Sequence, residues 1–517
     1  MLKLVKHNVM DFYNQRSIIR YLVIYLIVLL GGAVAKDGFA ILMSLLIIVY
    51  LCNNRVFRSI EYWLIWFFAY GFYTGLGLIK IEPVAKYIAK PSFLLFIIFL
   101  AIFHKVPDRI KNSKFSILWL IFLGLSLLSI LFHKQSPFIL ITYSSFFFVY
   151  YILRSGIFTV DHCRSLLNLF IATAILQTLT CVMQVAQLIP PASKMMDDGS
   201  GAKMEWVAGL DDVATGTFGA VSGHVVSWYV SMIALFCILV WTVTRKSKYL
   251  IVAAIAFLQF ATIDSKTIMG VMLAMMGFLY YYLVKNRKKV KMPVHKLASF
   301  AVMAGVMGLV LFTAWDFYYS YQNKAGGTES RGSFNDVYES EIKASRQLII
   351  DNIDDWGKIK GFSYVMDDFK TSGPFDMFWG YGLMGYSFNG KMSLIESKDT
   401  PLMQLNNFTR SRSTLIIQFA TCGFLGFALF IMAMYQWYRY NIAGKDRNRI
   451  DIVQKSLVKI FLPFTLLATF IYDMPITTIT VVTFAAITAV LKNYSESIKQ
   501  HNINIWQRTK EQYLQQQ

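Results

Sequence analysis

Residues 297–315 read LASFAVMAGVMGLVLFTAW, nineteen residues without a charge, and a polar stretch from Asp316 to Ser411 follows them directly. A second apolar run, Ser413–Tyr438, follows the polar stretch. As a helix, each run is long enough to cross a hydrocarbon layer of about 30 Å. The polar stretch therefore predicts one large loop between two membrane-spanning helices.

Composition extends this interpretation to the whole chain. Of the 517 residues, 56% are hydrophobic and only 15% are charged, which is more apolar surface than a soluble domain can bury. The apolar runs lack the alternation of a membrane β-barrel, so they predict an all-α fold. The expected architecture is a polytopic transmembrane helical bundle of about 14 spans. The predicted spans are Ile18–Ala35, Gly38–Cys52, Tyr62–Ile79, Ser92–Phe103, Phe115–Phe132, Pro137–Leu153, Ser165–Ile189, Thr217–Val243, Tyr249–Ile263, Thr267–Val284, Leu297–Trp315, Ser413–Tyr438, Leu457–Ile471 and Pro475–Leu491.

The distribution of charge predicts how the bundle is oriented. The net charge is +20, but the basic residues concentrate in every second loop and at both termini rather than in one patch for nucleic acid. This is the positive-inside pattern of a multi-pass protein. It predicts a bacterial inner-membrane protein with both termini in the cytoplasm and the large loop in the periplasm. The basic loops are Lys105–Lys114, Arg245–Lys248, Lys285–Lys296 and Arg439–Lys455.

The sequence predicts four parts along the chain, which include the large loop and a C-terminal tail. Within the large loop, apolar residues recur at helical spacing over Phe334–Ile353, and Trp356–Phe369 is a second candidate helix. The tail after the last span is expected to be a short helix or a disordered end. The parts are an N-terminal transmembrane bundle (1–315), the large periplasmic loop (316–411), C-terminal transmembrane helices (412–491) and a cytoplasmic tail (492–517).

Metal and cofactor chemistry have no sequence signature here. The seven histidines are scattered, and the five cysteines lie in or beside apolar runs and outside the large loop. No phosphate-binding glycine loop or dinucleotide fingerprint occurs. We therefore expect no cofactor, no metal and no disulfide framework.

Several cations are predicted at the outer ends of the spans. Arginine and lysine in such a position suit a diphosphate, and they stabilise negative charge on a phosphate leaving group. His224 lies seven residues after Thr217, which predicts one shared helical face. Each of these side chains also has an ordinary structural role as an alternative. Arg410 and Arg412 could contact lipid phosphates, and Lys266 could anchor a helix turn. Arg346 could lie on a solvated helix face, and His224 could be a hydrogen-bonded packing residue. The candidate side chains are Lys266, Arg346, Arg410, Arg412 and His224.

Several segments in a fixed order resemble motifs of the O-antigen ligase and polymerase superfamily. Cys181–Pro190 resembles the outer end of one of its helices, and Gly216–Ala220 with His224 resembles its G-T-F-G-N…N/H segment. Asp264–Thr267 stands where that family has a Ser-Arg-Gly turn. The resemblance covers roughly residues 165–440. Its last two motifs, a G-x-G loop and an E-x-G-x-x-G helix, are matched by Trp379–Gly382 and Cys422–Gly426.

The resemblance implies a glycosyltransferase-C-like membrane fold capped by the helical loop. It implies an inverting, metal-independent glycosyltransferase that takes glycan from a polyprenyl-diphosphate donor on the periplasmic face. It further implies catalytic roles in holding diphosphate for Arg346 and Lys266, and the charge at the outer ends of the spans adds Arg412 as a third candidate. The matched motifs add the candidate substrate-binding residues His224, Trp379, Gly380, Tyr381, Gly382 and Thr217, and the charge argument adds Arg410.

Two departures from the family pattern narrow the expected activity. Lys266 stands where the family has arginine, so it would bind phosphate as a point charge without bidentate geometry. Arg412 stands eleven residues before Gly423, where lipid A–core ligases have a histidine. Arginine stays protonated and cannot act as a base, which favours polymerase over ligase. The carboxylates that remain open as acceptor-activating groups are Asp367, Asp376, Glu396 and Asp399.

The sequence therefore predicts an O-antigen or capsular polysaccharide polymerase that joins lipid-linked repeat units. Its expected partners are the polyprenyl-diphosphate-linked donor and acceptor, membrane lipids, a chain-length regulator and a flippase, and no nucleic acid. An O-antigen ligase or protein O-oligosaccharyltransferase would use the same donor with another acceptor. A lipid-linked oligosaccharide flippase is the alternative from another class, although flippases place charges deep in their spans.

Overall fold

The computed structural model describes residues 12–75, 89–132, 138–185, 188–189, 216–218, 223–262, 266–285, 305, 308, 366, 369–370, 373–380, 414–444, 449–471 and 479–515. These residues are helical, with short turns between helices and no strand among them. The all-α prediction is therefore confirmed for them. The helices are α1 (Gln15–Cys52), α2 (Val56–Gly75), α3 (Pro91–Ile102), α4 (Asp108–Lys111), α5 (Lys114–Phe132), α6 (Phe138–Arg154), α7 (Val160–Val185), α8 (Gly223–Thr244), α9 (Lys248–Leu258), α10 (Lys266–Lys285), α11 (Pro374–Trp379), α12 (Thr414–Ile442), α13 (Arg449–Ile471) and α14 (Ile479–Gln515).

Three helices in the described part of the chain are long and apolar enough to cross a membrane. They are α1, Val160–Gln184 of α7 and Val225–Thr244 of α8. Shorter apolar helices accompany them at Pro91–Lys105, Lys114–Ser129, Lys248–Leu258 and Val271–Lys285. These helices agree with a membrane protein, while the total of about 14 spans stays a prediction.

Helix α1 consists of two antiparallel helical arms that are joined at Lys36. Its backbone leaves the helical conformation at Lys36, where φ is 47° and ψ is −121°. The Tyr21 hydroxyl is hydrogen-bonded to Glu61, and the Ile47 carbonyl accepts from Ser59 at 3.0 Å. In one straight helix residues 21 and 47 would lie about 39 Å apart, too far to reach neighbouring positions on α2. The two arms therefore correspond to the first two predicted spans.

Helix α3 begins partway along α2 rather than at a bundle end. The indole nitrogens of Trp63 and Trp66 donate to the carbonyls of Pro91 (2.7 Å) and Ala89 (2.9 Å). These tryptophans lie about 10 and 15 Å beyond the start of α2. Helix α3 has 12 residues and is about 18 Å long, less than the hydrocarbon thickness. The predicted span there is therefore at most a partial one.

Charged side chains collect at one end of the bundle. The guanidinium of the buried Arg154 makes two 3.1 Å hydrogen bonds to the Glu496 carboxylate, and Arg109 reaches the same group at 2.8 Å. Lys492 donates to the Tyr440 carbonyl at 3.0 Å. The segments that meet here are those that the sequence predicts on one side of the membrane. We call this region, defined by Arg109, Arg154, Lys492 and Glu496, the charged end.

The opposite end is held by glycines and amides. On α7, Arg164 contacts Tyr494 close to the charged end, and Gln184 lies 20 residues further, about 30 Å along the helix. Gln184 contacts Gly216 there. On α12, Gly423 lies about 27 Å from Asn441, which bonds to α6 near Arg154. We call the region that contains Gly216 and Gly423 the glycine end.

Helix α8 begins later than the sequence suggests. It starts at Gly223, whereas the apolar run was expected to begin a helix at Thr217. Gly216 has φ +58°, a left-handed conformation that interrupts a right-handed helix, and residues 216–218 form a turn. The predicted shared helical face of Thr217 and His224 is therefore wrong, because Thr217 precedes the helix.

Helix α14 continues through the expected start of the tail. It runs from Ile479 to Gln515 without a break at residue 492. The segment contains no glycine or proline, so nothing in its backbone stops the helix. The tail is therefore helical to residue 515. The domain boundaries at 315 and 411, and most of the two predicted loop helices, lie outside the described residues.

Candidate functional site

The turn at residues 216–218 is clamped by two glutamines of α7. The Gly216 N–H donates to Gln184 Oε1 at 2.8 Å, and Gln184 Nε2 donates back to the Gly216 carbonyl at 3.2 Å. The Thr217 N–H donates to Gln177 Oε1 at 2.8 Å. The two glutamines are seven residues apart and so lie on one face of α7. They satisfy backbone groups that would otherwise be buried without partners.

The Thr217 hydroxyl is fully engaged within the protein. It accepts from Gln177 Nε2 at 2.5 Å, lies 2.9 Å from the Tyr25 hydroxyl and donates to the Phe68 carbonyl at 3.3 Å. A hydroxyl has one donor and two acceptor positions, and these three contacts use them. Thr217 is also completely buried. It fixes the turn in this structure, and substrate contact would require the turn to open.

A 3₁₀ turn between α9 and α10 contacts both α7 and α8. The 3₁₀ turn Gln259–Thr262 packs against α7, and Gln259 Nε2 lies 3.3 Å from Ser227 Oγ of α8. Lys266 is the first residue of α10, four residues after this turn. Residues 263–265, which join this turn to Lys266, lie outside the described residues.

A second pair of motif segments meets at Gly423. Gly423 has φ +61°, and a Cβ there would lie 2.5 Å from backbone atoms of Phe378 and Gly380. Glycine is therefore required both by the left-handed conformation and by the direct approach of α11 to α12. Gly380 ends α11, and its N–H donates to the Asp376 carbonyl at 2.8 Å. The aromatic–glycine segment that ends at Gly380 thus docks on the kink of α12 at Gly423.

Aromatic side chains surround this docking point. Phe369 is buried and packs edge-on against Phe419 of α12 with ring centroids 5.5 Å apart. Trp379 is partly exposed and lies 6.3 Å from the Phe375 ring. Phe375 and Phe378 are exposed. Such a surface suits either sugar faces or the membrane interface.

The predicted site residues fall into three groups. Thr217, Trp379 and Gly380 have the positions described above. His224 is the second residue of α8 and Lys266 the first of α10, and their side chains are outside the described part of the structure. The remaining predicted residues lie outside the described residues altogether: Arg346, Tyr381, Gly382, Arg410 and Arg412.

Sequence reasoning missed the residues that hold the turn. Gln177 and Tyr25 lie in apolar runs, and Gln184 belonged to a motif without a role being given to it. Polar side chains seven residues apart in an apolar helix are the signal that could have found the two glutamines, because a buried amide needs partners. Within the described residues, no three His, Cys, Asp or Glu residues are grouped to hold a metal ion.

No protein-family model matches this chain, and neither a curated protein nor a solved structure is significantly similar to it.

Proposed function

We propose that the protein is a membrane glycosyltransferase that joins polyprenyl-diphosphate-linked oligosaccharide repeat units, as an O-antigen or capsule polymerase does. One observation carries the proposal. Motif segments that are distant in the sequence pair in the fold: Gln184 with Gly216, and Gly380 with Gly423. Both pairs belong to the motifs on which the superfamily resemblance rests. A site assembled from several loops requires that kind of pairing.

The proposed chemistry is an inverting displacement at the sugar carbon that carries the diphosphate. A hydroxyl of the acceptor repeat unit attacks that carbon, and the bond to the diphosphate oxygen breaks with its electron pair leaving on the diphosphate. Arg346 and Lys266 stabilise this charge, and Arg410 and Arg412 hold the second lipid diphosphate. The hydroxyl proton passes to water or to a loop carboxylate. Trp379 stacks on a sugar face.

The proposed location follows from the charge pattern. The reaction takes place on the periplasmic face of a bacterial inner membrane, with the loop outside and both termini in the cytoplasm. The glycine end is then the periplasmic end. Labelling of an introduced cysteine at residue 360 by a membrane-impermeant reagent tests this orientation, and labelling only from the cytoplasmic side would contradict it.

Deletion of the gene distinguishes the proposed polymerase from its rivals. A polymerase mutant keeps single repeat units on the cell surface but loses long chains on a glycan gel. Full-length polymer left on the carrier lipid would instead indicate a ligase. Lipid-linked repeat units trapped on the cytoplasmic side would indicate a transporter.

Complementation with point variants tests the cations. Arg346→Ala and Lys266→Ala are expected to reduce chain growth by roughly 100-fold, the scale for removing one group that stabilises transition-state charge. Lys266→Arg is expected to keep activity, and Lys358→Ala is the control for a cation lost from the same loop. Purified protein with both lipid-linked substrates should extend chains in EDTA. Full activity of Arg346→Ala, or a requirement for a divalent metal, would contradict the mechanism.

A further inference from the structure

A cleft of about 550 Å³ opens between the two arms of α1 and the start of α2. Three of its lining residues are arginines, and two are tyrosines whose rings stack with centroids 5.4 Å apart. Arg20 in this cleft also contacts Ser165, next to Arg164, so the cleft lies toward the charged end. None of its residues belongs to the proposed glycosyltransferase site. The lining residues are Arg20, Ile24, Tyr50, Arg55, Arg58 and Tyr62.

Positive charge in the cleft exceeds negative charge. Arg20 Nη2 donates to Glu61 Oε1 at 2.8 Å, and Arg58 forms an ion pair with the other oxygen of the same carboxylate. Arg55 has no ion-pair partner among the described residues. Three guanidinium groups less one carboxylate leave a formal charge of +2. The cleft therefore has unused capacity for an anion.

Glu61 holds two of the arginines in place. It is only 2% exposed and also bonds to the Tyr21 hydroxyl, so it acts as a buried anchor. The Arg20 and Arg58 side chains remain 43% and 47% exposed. Each guanidinium has five N–H donors, and the contacts to Glu61 leave several of them open. A ligand anion would thus meet donors that are already ordered, which lowers the entropy cost of binding.

The start of α2 adds to the positive potential. Arg55 directly precedes this 20-residue helix and Arg58 is its third residue, while its first turn contains no acid. A helix N-terminus carries partial positive charge, so cations there are unfavourable unless an anion compensates them. Glu61 compensates part of this charge. A bound anion would compensate the rest.

A continuous apolar face begins at the cleft. Arg20, Val23, Ile27, Leu30 and Val34 follow each other at spacings of three and four residues, which places them along one side of the first arm of α1. All five are exposed. A soluble phosphate would gain nothing from such a face, whereas an acyl chain would lie along it. The cleft and the face together match a molecule with an anionic head and an apolar tail.

We propose that this cleft binds the phosphodiester headgroup of an anionic glycerophospholipid, with one acyl chain along the apolar face of α1. Arg20, Arg55 and Arg58 donate to the phosphate oxygens, and Tyr50 and Tyr62 border the glycerol portion. Basic pockets between transmembrane helices bind anionic headgroups by the same chemistry. The site is independent of the proposed glycosyl transfer, because it lies toward the other end of the bundle.

Two variants with the same change in charge test the site. The full chain is purified in detergent and titrated with phosphatidylglycerol or phosphatidylcholine, and bound lipid is counted by native mass spectrometry. Arg55→Ala is expected to weaken phosphatidylglycerol binding about fivefold or more, the scale for one arginine near a lipid phosphate. Arg16→Ala, on the exposed first turn of α1 outside the cleft, should bind like the unaltered protein. Equal binding by both variants, or equal binding of both lipids, would overturn the proposal.

A second measurement needs no variant in the cleft. Of the five cysteines, Cys52 is exposed and the other four are buried, and Cys52 lies three residues before Arg55. Phosphatidylglycerol is expected to slow the reaction of Cys52 with a maleimide, whereas phosphatidylcholine, glycerophosphoglycerol and inorganic phosphate should not. If inorganic phosphate protects Cys52 from maleimide as strongly as the lipid does, the cleft is a free-phosphate site and the lipid assignment is contradicted. Absence of protection by the lipid would also sink it.

Discussion

The two ends of the helical bundle are held by different kinds of contact. At the charged end, Arg154, Glu496 and Lys492 interact through ion pairs and cation contacts. At the glycine end, Gly216 and Gly423 allow neutral groups to approach closely. Electrostatic contacts respond to pH and salt, whereas close packing responds to side-chain volume. Changes in pH or salt should therefore destabilise the charged end, whereas changes in side-chain volume should destabilise the glycine end.

The two glycines themselves differ in what surrounds them. Both have left-handed φ angles, +58° at Gly216 and +61° at Gly423. A Cβ at Gly216 would lie 2.2 Å from the amide oxygen of Gln177, the far end of a flexible side chain. A Cβ at Gly423 would lie 2.5 Å from the backbone of Phe378 and Gly380, which cannot move without displacing α11. Substitution should therefore cost more at Gly423.

The largest effect is expected for Gly423→Ala. A left-handed conformation costs a residue with a Cβ about 1–2 kcal/mol, and overpacking against backbone adds a comparable amount, for a total of about 3 kcal/mol. Thermal unfolding in detergent measures the loss. Displacement of α11 should also make the buried Cys422 reactive to maleimide.

Gly277→Ala is the matched control for that variant. Gly277 lies inside α10, and a Cβ there would meet nothing within 4 Å. Alanine should leave stability unchanged or raise it by up to about 1 kcal/mol, because it favours helix more than glycine does. A Gly423→Ala protein as stable as Gly277→Ala would show that the close approach of α11 is not required.

An intermediate effect is expected for Gly216→Ala, about 2 kcal/mol from backbone strain and a displaced hydrogen bond. Adding Gln177→Ala removes the side chain that the new Cβ would strike. The double variant should therefore be less destabilised than the sum of the single variants, by about 1 kcal/mol. Strict additivity in the thermal unfolding of the four proteins would contradict the proposed contact.

The smallest effect is a pH dependence at the charged end. Lys492 is the first residue after the last predicted span, and burial together with the Arg154 guanidinium lowers its pKa from 10.5 to about 7. Between these two values the unfolded state binds more protons than the folded state, so stability rises as the pH increases. From pH 6 to pH 8 the gain is about 1 kcal/mol. It should be measurable as a rise in the unfolding temperature.

Lys492→Met isolates this contribution from other titrating groups. The variant keeps an unbranched apolar stem and removes the ammonium group. Its unfolding temperature should change less with pH than that of the unaltered protein, while Gly423→Ala should retain the full pH dependence. Identical pH profiles for Lys492→Met and the unaltered protein would contradict the assignment and weaken the distinction between the two ends.

Part of this organisation could be predicted from the local sequence. The first two apolar runs are separated by Lys36 and Asp37, and the chain reverses at Lys36 as the pattern predicts. Basic loops such as Lys105–Lys114 and the C-terminal tail meet at one end, as alternating charge predicts. The start of α8 was not predictable in the same way. Its apolar run begins at Thr217, and the glutamines that hold the turn are 32 and 40 residues away from the groups they bind.

The amino-acid pattern alone predicts an all-helical chain, apolar runs that suit a membrane, and basic residues that concentrate in every second loop. These are consequences of composition and of periodicity within one segment, where each residue acts on near neighbours. Tertiary contacts bring Gln177 and Gln184 to the turn at Gly216 and Thr217, α11 to Gly423, and Arg20, Arg55 and Arg58 to one cleft. Those contacts join segments that are far apart in the chain, and their geometry depends on how whole helices pack.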